Sequence, residues 1–307
     1  MDHATRSNEI FVSNDILSAP NEHELKNFGK NTEKEDIFRK GSKTYFNSSR
    51  FFPDEYRNDV TIFYSFVRVA DDLVDKVPQD ADGFYHFMDT YMRSLSGGFS
   101  GYSVVDDFVS LMEKKGIEPN LVESFFKAMK MDLTKTRYET MAELCDYMHG
   151  SAEVIGLIMR RILDLPKVAE EYASLLGRSM QFLNFVRDVR EDNELGRMYL
   201  PADSARKFGL NSLRENDVKG KEEDFSSFIK ENLDIFFEWD REARKGFRFI
   251  PKRLLIPIIT AQNMYAWTAR KIFRNPMIVF RNKVKPSKGR ILLEIFKNWF
   301  LWKLHYL

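Results

Sequence analysis

The chain has 307 residues, of which 43% are hydrophobic and 30% charged, which is enough to bury a large core in one or two domains. Its formal net charge of +1 provides no global field to attract nucleic acid, so we predict no nucleic-acid partner. The one cysteine excludes an intrachain disulfide and disfavours a cysteine-based metal site, which is typical of a reducing compartment, and we predict a cytoplasmic location.

Residues 1–35 are polar and resemble neither a secretory signal nor a transit peptide, so we predict a flexible N-terminal arm. From there on, helical spacing of apolar residues is common and two-residue alternation is not sustained. The segments VPQDADG and GIEPN indicate helix breaks, and NELGRMYLPADS indicates a loop that re-enters a short helix. We predict a single all-α domain with helices near these ranges: 35–50, 55–76, 80–95, 101–115, 119–131, 139–163, 167–192, 222–247, 251–274 and 287–305.

The predicted helix near 55–76 carries a narrow polar stripe. Its members Tyr64, Arg68, Asp71 and Asp75 stand at offsets 0, 4, 7 and 11, which align at about 100° per residue. Apolar residues border the stripe on both sides, whereas a solvated face would be broad and mixed in charge. Because unpaired carboxylates are very costly to bury, the stripe implies that cations balance its aspartates.

A second stripe of matching geometry lies in the helix predicted near 167–192. Gln181, Asn184, Asp188 and Asp192 stand at offsets 0, 3, 7 and 11, again among apolar residues. Carboxylate and amide oxygens are hard ligands that suit Mg²⁺, which keeps coordination positions for water or phosphate oxygens. Two such helices facing each other therefore predict a site that clamps a diphosphate through several Mg²⁺ ions. Nearby arginines could take further phosphate charge: Arg68, Arg187 and Arg197.

With these two motifs the sequence resembles the squalene/phytoene synthase family, the head-to-head prenyl transferases, from about residue 38 to about residue 290. Four stretches carry the resemblance: GSKTYFNSSRFFP, FYSFVRVADDLVD, MDLTKTRYETMAELCDYMHGSAEVIG and QFLNFVRDVREDNELGRMYLP. The resemblance implies an all-α, single-domain isoprenoid-synthase-type helical bundle with a central cavity. We place this catalytic domain at residues 36–290.

The resemblance also implies roles for individual residues. The Mg²⁺ ligands would be Asp71, Asp75, Asn184, Asp188 and Asp192. Catalysis would involve the four aspartates among them together with Tyr64 and Arg68. Substrate contacts would come from further positions: Ser42, Lys43, Tyr45, Ser49, Thr61, Gln181, Asn184, Arg187, Tyr265 and Arg281. Asp72 belongs to the first motif but points off the line of the stripe.

The reaction implied by the resemblance joins two allylic diphosphates at their C1 carbons. Mg²⁺ neutralises the leaving diphosphate, the second double bond attacks the allylic cation, and proton loss closes a cyclopropyl diphosphate that ionises again and rearranges. Because carbocations react with water, the cavity must be dry. Proton loss in the last step gives phytoene or dehydrosqualene, whereas hydride delivery from NADPH gives squalene.

The length of the substrate is indicated by two small residues. Ser49 and Thr61 occupy positions where members with shorter substrates place bulky aromatics, which favours C20 geranylgeranyl diphosphate and phytoene as product. The alternative is a C15 farnesyl diphosphate enzyme that makes squalene, dehydrosqualene or presqualene diphosphate, with NADPH needed only for squalene. A non-catalytic assembly or scaffold relative is a remote alternative, because it should lose the aspartates that this chain keeps.

The C-terminal segment, residues 291–307, is amphipathic and aromatic. Trp299, Phe300 and Trp302 stand beside Lys297 and Lys303 in a stretch too short and too charged for a comfortable membrane span. Two interpretations remain open. The segment either rests on a membrane surface as an interfacial helix, making the protein peripheral to a membrane, or docks on the protein's own core.

Overall fold

The computed structural model describes residues 52–303, except for the side chain of Trp302, and every regular element in that range is helical. The predicted all-α class is therefore confirmed. The predicted arm at 1–35 and the helix predicted near 35–50 lie outside the described residues. Four predicted substrate contacts also lie outside them: Ser42, Lys43, Tyr45 and Ser49.

The described helices follow one another with short connections. They are α1 Asp54–Asp75, α2 Ala81–Leu95, α3 Ser103–Lys115, α4 Pro119–Asp132, α5 Met141–Met148, α6 Val154–Ile162, α7 Glu170–Arg187, α8 Val189–Glu194, α9 Ala202–Lys207, α10 Glu215–Val218, α11 Glu222–Arg244, α12 Lys252–Arg274, α13 Ile278–Arg281 and α14 Lys288–Lys303. A π-helical turn, His149–Glu153, joins α5 to α6, and 3₁₀ turns at Lys167–Ala169 and Lys245–Phe249 precede α7 and follow α11.

Helix boundaries follow local chemistry at the predicted breaks. The carboxylate of Asp80 caps α2 by accepting a hydrogen bond from the N–H of Gly83 at 2.9 Å. Helix α3 ends at Gly116, whose φ of +60° lies in the left-handed region that glycine adopts without strain. Pro119 then begins α4, where its missing N–H is not needed.

The helix predicted over 167–192 is interrupted at Asp188, so the prediction of one continuous helix was wrong at this point. Asp188 has φ −100° and ψ 17°, and it separates α7 from α8. Its carboxylate pairs with Arg187, the preceding residue, at 2.8 Å from Nε. Adjacent side chains of a regular helix point about 100° apart, so this pairing fits a local departure from helical geometry.

Helix α1 is held in place by aromatic packing. It packs against α2, α3, α4 and α6. Phe66, which is 1% exposed, lies 4.1–5.9 Å from the ring centroids of Phe87, Tyr91, Phe108 and Phe126. Such ring contacts add to the large apolar area that each aromatic buries. This cluster fixes the rotation of α1 and therefore the direction of its polar stripe.

Helix α7 lies at the centre of the bundle and packs against α6, the π turn, α11 and α12. Glycines bring its backbone close to its neighbours. A Cβ on Gly156 of α6 would overlap the carbonyl oxygen of Ala173, and one on Gly177 of α7 would overlap that of Ala152. Both obstructing atoms belong to the backbone, so they cannot rotate away.

We expect Gly156→Ala to lower the free energy of unfolding by about 2 kcal/mol or more, because the added methyl must push α6 and α7 apart. Urea unfolding followed by circular dichroism measures the loss. Gly289→Ala in α14 is the matched control, since no atom lies within 4 Å of its added Cβ. Equal stability of the two variants would contradict the close helix contact.

Helix α14 presents two different faces. Ile291 and Ile295 are buried against α12, and the Nδ2 of Asn298 donates to the hydroxyl of Thr260 at 3.0 Å. One face therefore docks on the protein's own core, as one of the two interpretations predicted. The other face exposes large hydrophobic residues: Leu292, Leu293, Phe296, Trp299 and Phe300. Over residues 52–303, no helix combines the length and the apolar character that crossing a bilayer requires.

Candidate active site

The polar stripe of α1 is organised by two arginines. The Nη1 of Arg68 donates to Asp71 Oδ2 at 3.2 Å, and Arg68 also pairs with Asp72. One turn further on, Asp75 Oδ1 accepts from Nη1 of Arg197 at 2.8 Å. Asp72 also lies 3.6 Å from the Nζ of Lys76, so it faces the cations beside the stripe. Asp72 therefore lies off the line of the stripe and shares Arg68 with Asp71.

The second stripe runs from α7 into α8. The Nδ2 of Asn184 donates to Gln181 Oε1 at 3.1 Å, while its Oδ1 is buried and has no hydrogen-bond partner among the described residues. Asp188 is bound by Arg187 and, at 3.1 Å, by the Nζ of Lys283. Burial alone would raise the pKa of Asp188, but these two cations hold it below its usual range.

The two stripes meet at Asp75 and Asp192. Burial raises the pKa of Asp192 well above its usual range, and repulsion from Asp188 and Asp75 raises it further. Asp75 belongs to α1 and Asp192 to α8, and Arg197 contacts both, since its Nη1 donates to Asp75 and its backbone N–H donates to the carbonyl of Asp192 at 2.7 Å. The C-terminal ends of the two stripes therefore approach each other. The carboxylates that the sequence predicted to face one another are therefore brought together.

The side chain of Asp71 is partly exposed. One third of its side chain, 33%, is accessible. Burial nevertheless raises its pKa well above the usual range, and Asp75 and Asp72 add to the effect against the opposing Arg68. A carboxylate that touches open space and is still surrounded by protein is placed to meet a ligand.

Tyr265 of α12 joins the two stripes from a third helix. The pKa of Tyr64 is raised mainly by burial, and Tyr265 contributes a smaller increase. Burial lowers the pKa of Arg187, but Asp188 and, to a lesser degree, Tyr265 outweigh it and raise the pKa. Three predicted residues from α1, α7 and α12 therefore lie in one neighbourhood.

Two further predicted contacts have different surroundings. Thr61 is buried in α1, and its hydroxyl donates to the carbonyl of Arg57 at 2.8 Å. Arg281 ends α13 with an exposed side chain. The structure instead brings Lys283, two residues later, to Asp188 and to Glu191, which lies 3.6 Å from its Nζ. The sequence reasoning did not select Lys283, because its extended segment has no periodicity that shows which side chain points inward.

A buried network at the end of α4 was also missed. Asp132, which is 4% exposed, accepts hydrogen bonds from the hydroxyls of Tyr147 at 2.7 Å and Tyr199 at 3.0 Å. The Nη2 of Arg197 donates to the carbonyls of Val74 at 3.0 Å and Asp132 at 3.3 Å. Arg197 therefore links the end of α1 to the end of α4. The signal in the sequence was the MDLTKTRY stretch, which begins at residue 131.

Burial, followed by repulsion from Asp75, raises the pKa of Asp132 to about 7 against its hydrogen bonds with the tyrosines. Between pH values of about 4 and 7 the folded protein therefore keeps a proton that the unfolded chain has released. The free energy of unfolding falls as pH rises through that window. In EDTA, we compare the free energy of unfolding of Asp132→Asn with that of the unmodified protein. We expect the difference to change in favour of the variant by on the order of 2 kcal/mol as the pH rises from about 5 to about 8.

Thermal unfolding at a series of pH values measures this difference. Asp234→Asn, at an exposed position of α11, is the matched control and should show no such trend. A difference between Asp132→Asn and the unmodified protein that does not change with pH would contradict the protonated state of Asp132.

The donor set at the meeting point of the stripes fits a hard divalent cation. Neighbouring carboxylates raise the pKa of Asp71 and of Asp192, and the buried Asn184 Oδ1 is an acceptor with no hydrogen-bond partner among the described residues. Within residues 52–303, no three His, Cys, Asp or Glu side chains already form a compact metal cluster. The ligands instead belong to two sets, one on α1 and one on α7 and α8, which ions and a diphosphate would bridge.

The sequence model of the squalene/phytoene synthase family matches residues 38–290 of this chain. The chain belongs to the squalene/phytoene synthase family. Members of the squalene/phytoene synthase family are prenyltransferases, so both the predicted family and the predicted enzyme class are confirmed.

Among its relatives in the squalene/phytoene synthase family are curated phytoene synthases. The chain is 28% identical over 275 residues to the 15-cis-phytoene synthase of Synechocystis sp., covering 84% of this chain and 81% of that one. It is also 28% identical over 243 residues to the 15-cis-phytoene synthase of Enterobacter agglomerans, covering 76% and 82%.

Solved structures show the same fold. A dehydrosqualene synthase in complex with ligand superposes with a TM-score of 0.76 at 21% identity, covering 89% of this chain and 96% of that one. A squalene synthase from Alicyclobacillus acidocaldarius superposes with a TM-score of 0.69 at 19% identity, covering 78% and 92%. These likenesses confirm the predicted helical bundle of the isoprenoid-synthase type.

Proposed function

We propose that this enzyme condenses two geranylgeranyl diphosphates head to head, through a cyclopropyl diphosphate, and releases phytoene. The observation that carries the proposal is the approach of two aspartate stripes, one ending at Asp75 on α1 and one at Asp192 on α8. Arg197 donates from its Nη1 to Asp75 Oδ1 at 2.8 Å and from its backbone N–H to the carbonyl of Asp192 at 2.7 Å. Its support for the C20 product comes from the curated relatives, which are named phytoene synthases.

The metal ligands in this proposal are the oxygens of Asp71, Asp75, Asn184, Asp188 and Asp192. Bound Mg²⁺ would supply charge neutralisation for the departing diphosphate. Arg68 pairs with Asp71, and Arg187 and Lys283 pair with Asp188. These three cations lie beside the carboxylates that would hold the metal, so they would be placed to donate to phosphate oxygens of the substrate.

The interior also has to keep water away from a carbocation. Phe185 and Tyr199 stack with ring centroids 4.3 Å apart, next to the Asp132 network. Burial raises the pKa of Tyr64, which keeps its phenol neutral at physiological pH beside Arg68. Neutral aromatic walls can stabilise a passing cation without capturing it.

The small size of Thr61 supports a C20 substrate. Its buried side chain fills less space in α1 than the aromatic that the resemblance places there in members with shorter substrates. We also propose that residues 36–290 form the catalytic domain and that segment 291–307 rests on a membrane surface, from which an apolar prenyl chain is supplied.

Purified enzyme with Mg²⁺, offered geranylgeranyl and farnesyl diphosphates in competition, is expected to form phytoene, with no effect of NADPH. Mass spectrometry of the extracted hydrocarbons identifies the product. Thr61→Phe should shift product formation from the C20 to the C15 substrate, while Thr61→Ser serves as the size-matched control. If the unmodified enzyme turned over farnesyl diphosphate but not geranylgeranyl diphosphate, the C20 assignment would be refuted. If it required NADPH, the product would be squalene.

A further inference from the structure

Helix α14 carries an apolar surface that the described residues leave uncovered. Among residues 52–303, five of the eleven exposed large hydrophobic side chains lie on this helix: Leu292, Leu293, Phe296, Trp299 and Phe300. At about 100° per residue they fall within an arc of about 120°, on a different side from the buried Ile291 and Ile295. We call these five residues the α14 face. A contiguous apolar patch of this kind marks an interaction site.

The surroundings of the α14 face are strongly basic. Residues 252–303 carry twelve lysine and arginine residues against one acidic residue, Glu294. The Glu294 side chain is only 13% exposed and accepts a hydrogen bond from Nδ2 of Asn263 at 2.7 Å, so it points towards α12. Lys303 borders the face itself, with its Nζ 4.2 Å from the ring centroid of Trp299. An apolar surface with a basic border fits an apolar partner that carries acidic residues.

The chain itself contains a segment of that chemistry. Residues 1–25 hold five acidic residues against one basic residue, Arg6. Within them, residues 9–17 have the sequence EIFVSNDIL, in which two apolar clusters, IFV and IL, each follow an acidic residue. We call residues 9–17 the arm segment. Its charge is opposite to that of the α14 surroundings, and its apolar side chains would gain free energy from contact with an apolar surface.

The described chain begins next to one end of α14. Three successive contacts join α14 to α12: Arg290 with Trp267, Glu294 with Asn263, and Asn298 with Thr260. Helix α14 therefore runs antiparallel to α12, and its C-terminal end lies beside the start of α12. There, Nη2 of Arg253 donates to the hydroxyl of Tyr56, in the first turn of α1, at 3.2 Å. The point where the chain enters α1 therefore lies close to the C-terminal end of α14.

The arm segment has enough chain behind it to reach the α14 face. Residues 18–51 lie between the arm segment and Phe52. Outside the predicted catalytic domain, residues 18–35 alone can span about 60 Å at about 3.3 Å per residue. The 16 residues of α14 extend only about 24 Å. The whole of the α14 face is therefore within reach.

We propose that the arm segment binds the α14 face of its own chain, with Glu9 and Asp15 at the basic border of that face. Because the segment is tethered, its effective concentration at the face is about millimolar, well above that of a separate partner in dilute solution. Two copies that paired through their α14 faces would instead bring like charges together, which disfavours self-association. The arm segment and a membrane need the same face, so on the proposed function the arm covers it until a membrane displaces the arm.

Photo-crosslinking of the full chain tests this contact. We expect p-benzoylphenylalanine in place of Phe11 to crosslink mainly to residues 288–303 of the same chain at micromolar protein concentration, as peptide mass spectrometry would show. The same probe in place of Phe28 is the matched control, because Phe28 is an aromatic of the same arm outside the arm segment. Its crosslinks should not concentrate on α14.

Two double variants separate the apolar and the charged parts of the contact. Phe296→Ser combined with Phe300→Ser should reduce the crosslink yield from the Phe11 probe about tenfold. Glu9→Lys combined with Asp15→Lys should reduce it about fivefold, and high salt should reduce the yield of the unmodified chain. The second double variant changes no side chain of the described bundle, so it tests the contact even if the first fails to fold.

Phe99→Ser is the matched control for the serine variant. It changes an aromatic side chain that is 88% exposed between α2 and α3, and it should leave the crosslink yield unchanged. Crosslinks that join two chains would overturn the proposal, because the α14 face would then belong to self-association. Crosslinks spread evenly over the bundle, or a yield that neither double variant changes, would overturn it as well.

Turnover in detergent micelles separates this proposal from the proposed function. The Glu9 and Asp15 double variant should keep the turnover of the unmodified enzyme, because neither side chain belongs to the candidate active site. Normal turnover without crosslinks to α14 would overturn the arm contact alone. Crosslinks to α14 without any turnover by the unmodified enzyme would support the arm contact and contradict the proposed function.

Discussion

Replacing Asp71 or Asp188 with asparagine is expected to lower kcat/KM by about a thousandfold or more. Each change keeps the shape of the side chain and removes one metal-binding charge, and metal-ion stabilisation of a leaving diphosphate is worth several kcal/mol. Turnover of geranylgeranyl diphosphate with saturating Mg²⁺ measures the loss. Activity within tenfold of the unmodified enzyme in either variant would contradict the proposed metal site.

The same two variants should differ in stability when EDTA is present. Burial and Asp75 raise the pKa of Asp71, so its ionised form opposes folding at neutral pH and Asp71→Asn should keep or raise the Tm. The pKa of Asp188 is held below its usual range by Arg187 and Lys283. Asp188→Asn should therefore lower the Tm, because it leaves a buried arginine without its partner. Differential scanning fluorimetry distinguishes the two directions.

Asp72→Asn is the matched control for both variants. It removes a neighbouring carboxylate of the same motif, but that carboxylate faces Arg68 and Lys76. We expect a smaller loss of activity than in Asp71→Asn. Equal losses in the two variants would show that Asp72 also binds the metal or the diphosphate.

Replacing Arg197 with methionine is expected to lower the free energy of unfolding by about 2 kcal/mol or more. Arg197 is 9% exposed and donates to Asp75 and to the carbonyls of Val74 and Asp132. Methionine fills the same space without a donor. The half-exposed carboxylate of Asp75 then loses its partner, and the carbonyls of Val74 and Asp132 keep only the donor that Gln79 Nε2 provides. Urea unfolding in EDTA measures the change, and a loss below about 1 kcal/mol would contradict a linking role.

Two further variants sharpen this test. Arg197→Lys keeps the charge but loses the planar fork that reaches three acceptors, so it should recover only part of the stability. When Arg197→Met is combined with Asp132→Asn, the free energy of unfolding should be higher than the sum of the two separate changes predicts. The reason is that the second change removes a carboxylate that Arg197 helps to balance. Additive losses would show that Asp132 and Arg197 are not coupled.

The sequence indicated the two stripes because helical spacing is local, although the helix that carries the second stripe is broken at Asp188. Helical spacing alone decides that Asp71 and Asp75 share a side of α1, and that Asn184 and Asp188 share a side of α7 at its end. The boundaries at Asp80 and Gly116 were also predictable, because caps and left-handed turns depend on neighbouring residues. The ligand chemistry of the two stripes then indicated that they face each other, and the family resemblance implied the same.

The parts that the sequence did not predict depend on distant contacts. Arg197 reaches Asp132 and Val74 across long stretches of chain, and no spacing within one helix reports such an approach. The break at Asp188 coincides with pairing between the adjacent residues Arg187 and Asp188, which helical spacing does not reveal. Lys283 lies in an extended segment after α13, where the identity of the inward side chain depends on tertiary packing.

The close backbone contact of α6 and α7 at Gly156 and Gly177 has a consequence for ion affinity. With no side chain between the two helices, α7 has no room to rotate about its axis. This contact would help to hold the end of α7 that carries Asn184 in place. An ion bound there would then cost little reorganisation, so the fold would contribute to affinity through pre-organisation.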